Sequence, residues 1–178
     1  LPTWYHIRVS HEGYIARREP EVLIAFNVAT IAEDIKTLPP GGVCIYNADI
    51  PGIPKRDDIT YYGVPVKSLV DKTDTKGKVK DYIANMVYLG AVSYLLDIPL
   101  DVIQESLAFH FGKRQKLVDS NLNMVRLAYD WCKENLTKQD PYKVQPMNKT
   151  SVLIVMTGNE AGALGSVFGG VSVGAWYP

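Results

Sequence analysis

Thr157-Gly158-Asn159-Glu160 is the turn with the most chemical promise in this chain. It follows the apolar run Val152 to Met156, which reads as a buried strand. It precedes Ala161 to Gly170, a stretch of small residues that reads as a helix. A Gly-Asn step in that position exposes backbone N–H groups at a helix start, where anions and polar ligands dock. Gly158 permits positive φ, and Asn159 can cap the helix. A carboxylate at Glu160 would be stabilised there as an anion, which argues against it as a proton donor near neutral pH. The plainer alternative is that Asn159 caps, Glu160 complements the positive helix end and the glycines only pack.

The other reactive side chains are scattered. His6 falls in a strand-like segment, His11 in a turn and His110 late in a helical stretch. Their spacing matches no zinc site, and H-E-x-x-H does not occur. No G-x-S-x-G elbow, Walker A loop or complete G-x-G-x-x-G is present. Asp57-Asp58, Asp71 and Asp74 read as solvated loop carboxylates. Arg17-Arg18 and Lys113-Arg114 are short basic pairs that could meet a partner or an anion. Cys44 and Cys132 both sit in apolar patterns and read as buried, reduced thiols. With no C-x-x-C pair, an iron–sulfur cluster held by this chain alone is not expected.

Composition narrows the function classes. Lys+Arg and Asp+Glu number 19 each in 178 residues, so no electrostatic footprint points to nucleic acid or an anionic membrane. No apolar run is long enough to span a bilayer and no signal peptide is recognisable, which points to the cytoplasm. The first residue is Leu1 rather than Met.

The elements that would position these groups follow from periodicity. Trp4 to Val9 is β-rich, and after His11-Glu12-Gly13 the stretch Tyr14 to Arg17 can return as a hairpin. Glu21 to Phe26 is a continuous apolar run, suited to a strand buried on both faces of a parallel sheet. Asn27 is a plausible N-cap for a helix over Val28 to Leu38, which Pro39-Pro40-Gly41-Gly42 ends. Val43 to Tyr46 is the next strand. Ile59 to Val66 reads as another, made an edge or irregular strand by Gly63-Val64-Pro65. From Lys78 to Leu95 apolar residues keep the 3.6 period. Pro99 can open a second helix at its first position, and Gly112 closes it. A third helix runs from about Gln115 to Leu136. Thr137 to Thr150 is polar, holds two prolines and reads as an interdomain linker.

The expected architecture is α/β. Residues 1–136 form a Rossmann-like domain with a mixed, mostly parallel sheet and C-terminal helices. Residues 137–150 link it to 151–178, a strand–turn–helix–strand opening with Val152–Met156 and Val171–Trp176 as sheet neighbours. One helix cannot cover both faces of such a sheet. The chain therefore reads as a piece of something larger.

Gly158-Asn159-Glu160-Ala161-x-Ala163-Leu164-Gly165 and the final Ala175-Trp176-Tyr177-Pro178 resemble the 2-oxoacid:ferredoxin oxidoreductases, in the subunit that fuses a gamma-type domain ahead of the alpha-type domain. Leu1-Pro2-Thr3-Trp4-Tyr5-x-Ile7-Arg8-Val9-Ser10, Asn85-Met86-Val87-x-Leu89-Gly90 and the Asn121-containing helix are similar to the gamma domain. The resemblance implies that residues 151–178 open a thiamine-diphosphate pyrimidine-type domain. It implies oxidative decarboxylation of a 2-oxoacid to the acyl-CoA and CO2, with coenzyme A as acceptor and electrons passed to ferredoxin. The gamma-then-alpha order favours 2-oxoglutarate. A beta-type partner subunit would hold the diphosphate, Mg²⁺ and an iron–sulfur cluster, so a homo- or hetero-oligomer is implied. Tyr177 and Pro178 are the residues the resemblance brings to the cofactor. They open a Tyr-Pro-Ile-Thr-Pro motif of which this chain carries only the first two residues. The family's Gly-rich opening strand–turn–helix has no counterpart here, and Glu160 is not the family's aminopyrimidine-activating glutamate. This stretch is therefore expected to be structural rather than catalytic, and inactive alone. A non-catalytic α/β interaction module, and a small enzyme with a nucleotide site at Thr157–Asn159, are the competing readings.

Overall fold

A computed structural model describes residues 3–11, 19–73, 77, 79–149 and 151–175. It divides into two compact units, Leu1–Gln145 and Pro146–Pro178. The first unit is built on a three-stranded parallel sheet in the order β1-β2-β3, formed by β1 (Val22–Ala25), β2 (Val43–Asn47) and β3 (Thr60–Val64). Val22 pairs with Val43 and Val43 with Thr60, so alternate residues fall on alternate faces. Val43, Ile45, Tyr62 and Val64 enter one core, with Val22 and Ile24 against it. Ala25 and Cys44 enter a second core on the opposite face, with Leu23, Tyr46 and Tyr61 against it. The middle strand is apolar on both sides because both sides are covered; Cys44 and Ile45 are fully buried.

One face is closed by helix α1 (Ile31–Lys36), through Ile31 and Ile35. The helix starts later than Asn27 would place it. The Asn27 side chain accepts from the Ala29 N–H at 3.0 Å, and its carbonyl accepts from Thr30 and Ile31. That local turn uses three residues before the helix begins, and Thr30 stands at the N-cap. Arg56 ties the far end. Its guanidinium donates to the Ile35 and Leu38 carbonyls, at 3.1 and 2.9 Å, and forks onto Asp58. The expected strand over Ile59 to Val66 stops at Val64. Pro65 has no N–H to continue the ladder, and Val66 opens the short helix α2 (Val66–Val70). The Asp49 carboxylate accepts from the Lys67 N–H at 2.7 Å and holds that start.

Helices α3 (Val79–Leu95) and α5 (Gln115–Asn135) add residues to the core on the other face, and α4 (Leu100–Phe111) packs against α5 in a third core. Pro99 is the N-cap of α4 rather than its first residue, and Gly112 ends that helix at φ 58°. Ser93 is buried in α3, with its hydroxyl donating to the Leu89 carbonyl at 2.7 Å. Gly90 is where α3 and α5 touch: a Cβ there would lie 2.4 Å from the Val125 carbonyl oxygen.

Two expectations do not match. Thr3 to Ser10 forms no strand; the segment is irregular, and the Trp4 indole N–H donates to Asp34 at 2.8 Å. Tyr14 to Arg17, the proposed return of that hairpin, lies outside the described residues. Val152–Met156 and Val171–Ala175 belong to no strand: residues 151–152 form a turn and the rest carry no regular structure, while Trp176, the expected end of the second strand, lies outside the described residues. A strand exists only through a partner's backbone, and Val152, Leu153, Ile154 and Val155 are all exposed. The second unit is described by one helix, α6 (Gly158–Phe168), with no buried residue.

Candidate functional site

The turn before α6 closes on itself. The Thr157 hydroxyl oxygen accepts from the Glu160 N–H at 3.2 Å, while the Glu160 carboxylate accepts from the Thr157 N–H at 2.6 Å. This is a reciprocal capping box, and Thr157, not Asn159, is the N-cap. The bond from the Thr157 backbone, then that from its hydroxyl, hold the Glu160 carboxyl below its usual range. The group is an anion at neutral pH, as its place at the helix start dictates. It occupies the end of the helix where an incoming anion would dock. We expect Thr157→Ala to weaken the cap by about 1 kcal/mol, raising amide exchange at Glu160 about fivefold. Unchanged exchange would show the box to be idle.

Tyr177 and Pro178 lie outside the described residues. The histidines are not brought together: His6 and His11 are exposed in the N-terminal segment, and the His110 ring stands edge-on to Phe111 at 5.0 Å on the last turn of α4. Asp58 pairs with Arg56 at 2.6 Å and Asp71 with Lys80 at 2.7 Å, so each has a partner rather than solvent alone. Asp74 and Arg17-Arg18 lie outside the described residues. Lys113 and Arg114 are exposed, and Arg114 donates to the Phe111 carbonyl. Cys44 and Cys132 are free and buried in cores on opposite faces of the sheet. Burial pushes both thiols up to about 12, helped at Cys44 by the Asp34 charge.

The carboxyl ends of the parallel strands were not singled out by sequence, yet they are where ligands bind in open α/β sheets. There the Phe26 ring, half exposed, stacks at a tilt on Tyr88 with centroids 4.4 Å apart. Asn47 follows on β2, its side chain accepting from the Asp49 N–H at 2.9 Å. Burial first, then the Asp49 charge, pushes the Tyr88 hydroxyl up to about 12. The signal available in sequence was positional: an Asn after each of the first two apolar strand runs.

A thiamine diphosphate site needs a Mg²⁺ ligand set and donors for a diphosphate. Among the described residues no group of three His, Cys, Asp or Glu could hold a metal. The helix start suited to an anion already faces a carboxylate. These residues therefore do not fit the diphosphate end of that cofactor, and no step is derived through it. Among the described residues no helix is long and apolar enough to cross a membrane.

The family model for pyruvate ferredoxin/flavodoxin oxidoreductase matches residues 1–131. The chain belongs to this family. Its curated relatives include the 2-oxoacid:ferredoxin oxidoreductase 2 alpha subunit of Aeropyrum pernix, 25% identical over 113 residues, which are 64% of this chain and 18% of the relative. The ketoisovalerate oxidoreductase subunit VorA of Methanothermobacter marburgensis is 28% identical over 119 residues, 66% of this chain and 24% of the relative. The solved 2-oxoglutarate:ferredoxin oxidoreductase from Magnetococcus marinus, with 2-oxoglutarate, coenzyme A and succinyl-CoA bound, matches with TM-score 0.70 and 27% identity. That match covers 85% of this chain and 26% of the solved one. The chain thus spans about a quarter or less of the relatives it matches. The small parallel sheet with flanking helices seen here is the α/β class that periodicity implied.

Proposed function

We propose that this chain is the gamma-type domain and the opening of the alpha-type domain of a 2-oxoacid:ferredoxin oxidoreductase. The reaction is oxidative decarboxylation of a 2-oxoacid, 2-oxoglutarate first among them, to the acyl-CoA and CO2 with reduction of ferredoxin. The observation that carries this reading is the likeness, over most of the chain, to the solved 2-oxoglutarate enzyme. Thiamine diphosphate and Mg²⁺ would be held by other parts of the assembly, and the iron–sulfur cluster by a beta-type partner subunit. The residues here serve assembly on this reading. The assembly works in the cytoplasm on this reading. Residues 151–178 begin the pyrimidine-type domain, with Tyr177 and Pro178 nearest the cofactor.

The test is reconstitution of the polypeptide bearing this chain with its beta-type partner, followed by coenzyme A-dependent acceptor reduction with a panel of 2-oxoacids. The highest kcat/KM is expected with 2-oxoglutarate. A preference for branched 2-oxoacids would overturn the substrate and keep the class. No oxoacid-dependent reduction would overturn the class. The 178-residue chain alone should neither turn over nor bind thiamine diphosphate saturably.

A further inference from the structure

Thr137 to Gln145 has no secondary structure and none of its residues is buried as a whole, yet Lys138, Gln139, Asp140, Tyr142 and Val144 are each bonded to the rest of the first unit. Lys138 is the hub on the strap side. Its ammonium donates to the Leu95 carbonyl, to the Tyr142 carbonyl at 2.6 Å and to the Asp140 carboxylate at 3.0 Å. Leu95 ends α3, so Lys138 satisfies a carbonyl the helix leaves without an internal partner. Asp140 is the hub on the core side, with a side chain only 3% exposed. Its carboxylate accepts from the Tyr62 hydroxyl at 2.6 Å and from the Tyr142 N–H at 2.9 Å, as well as from Lys138. Tyr62 stands in β3 with its ring in the main core, and its hydroxyl accepts in turn from the Gln139 N–H at 2.7 Å. The Val144 N–H donates to the Leu96 carbonyl at 2.8 Å and fastens the far end.

The hold on this segment is therefore polar, shared and concentrated on two side chains. Among its described residues only Tyr142 packs against the main core, and it is partly exposed; Leu136 does so just before the segment begins. An element with little buried apolar area and many bonds through one carboxylate opens as a unit, at less cost than unfolding the core. Losing any one partner leaves the others with unmatched charge or hydrogen bonds, so opening is cooperative.

We propose that Thr137–Gln145 is a clasp: a strap closed by Lys138 and Asp140 on the Tyr62 hydroxyl, which fixes where the chain leaves the α/β unit and which releases separately from that unit's unfolding. When closed it holds the chain to the α/β unit as far as Val144. When open it frees the chain from that unit from Thr137 on. This holds whichever oxoacid the assembly uses, so its failure and that of the functional reading are independent.

The test is hydrogen exchange by mass spectrometry on the whole polypeptide. Asp140→Asn is expected to speed exchange of peptides spanning 138–145 about tenfold, while peptides from β2, α3 and α5 stay within about twofold. Tyr62→Phe, which removes only the hydroxyl, is expected to move the same peptides in the same direction. In the wild-type protein, strap amides should respond less to low urea than β2 amides. Unchanged strap exchange, equal acceleration throughout the unit, or an equal urea response would each overturn the clasp.

Discussion

Replacing Gly90 with valine is expected to cost the α/β unit about 3 kcal/mol or more, read as a fall in thermal midpoint of about 6–12 °C. A helix-interior glycine normally gains about 1 kcal/mol on becoming alanine, through backbone entropy. Here the gain loses to contact. A Cβ on Gly90 would meet the Val125 carbonyl oxygen at 2.4 Å, the Ala128 Cβ at 2.7 Å and the Tyr129 nitrogen at 3.0 Å. Two of these three are backbone atoms of α5, which cannot swing aside as a side-chain tip can. The helices must separate, and Val87, Ala91, Ala128 and Cys132 then lose part of their packing in the shared core. Gly90→Ala should fall between wild type and valine. Gly165→Ala is the control, since nothing lies within 4 Å of its would-be Cβ, and it should be neutral or stabilising. A valine variant that melts with the wild type would mean the two helices do not approach as described.

Periodicity carried most of the layered fold because the deciding interactions are local or repeated. The 3.6-residue pattern from Lys78 placed α3, and Pro99 and Gly112 bounded α4, since helix ends depend on residues a turn away. Val43 to Tyr46 was legible as a strand because a run apolar on both faces fits a covered parallel sheet. Val152–Met156 carries the same pattern and forms no strand, because apolar runs do not encode their pairing partner. α2 was illegible for the opposite reason: five residues are too few for a period.

The site was less legible than the fold. The turn at Thr157 was found, but its cap was given to Asn159, although Thr157 with Glu160 three residues on spells a capping box. The clasp left no trace in any local pattern. Tyr62 and Asp140 meet across a separation of 78 residues, and the strap's polar, proline-containing composition reads as linker. A buried carboxylate recruits its partners by position in space, which one sequence does not display.

Raising the pH from 8 to 10.5 is expected to lower the stability of the unit steeply, by about 2 kcal/mol for each cysteine. Burial holds the Cys44 and Cys132 thiols protonated up to about 12, against about 9 in the unfolded chain. The folded state therefore keeps protons that the unfolded state releases. A group with a raised folded pKa contributes its full stability below the unfolded pKa and loses it as pH climbs toward the folded one. The loss thus runs from about pH 9 to about pH 12. Tyr88, pushed up to about 12 by burial and then by Asp49, adds a smaller loss in the upper part of the same window. Urea midpoints at the two pH values measure the sum. Cys44→Ala combined with Cys132→Ala should start less stable at pH 8, because each removes a buried sulfur, yet decline far less between pH 8 and 10.5. A thiol reagent should likewise reach neither cysteine at pH 8 until urea unfolds the chain, since buried thiols present almost no thiolate. A wild-type decline equal to that of the double variant would mean the thiols titrate as exposed groups, and the two cores would then not exclude water around them.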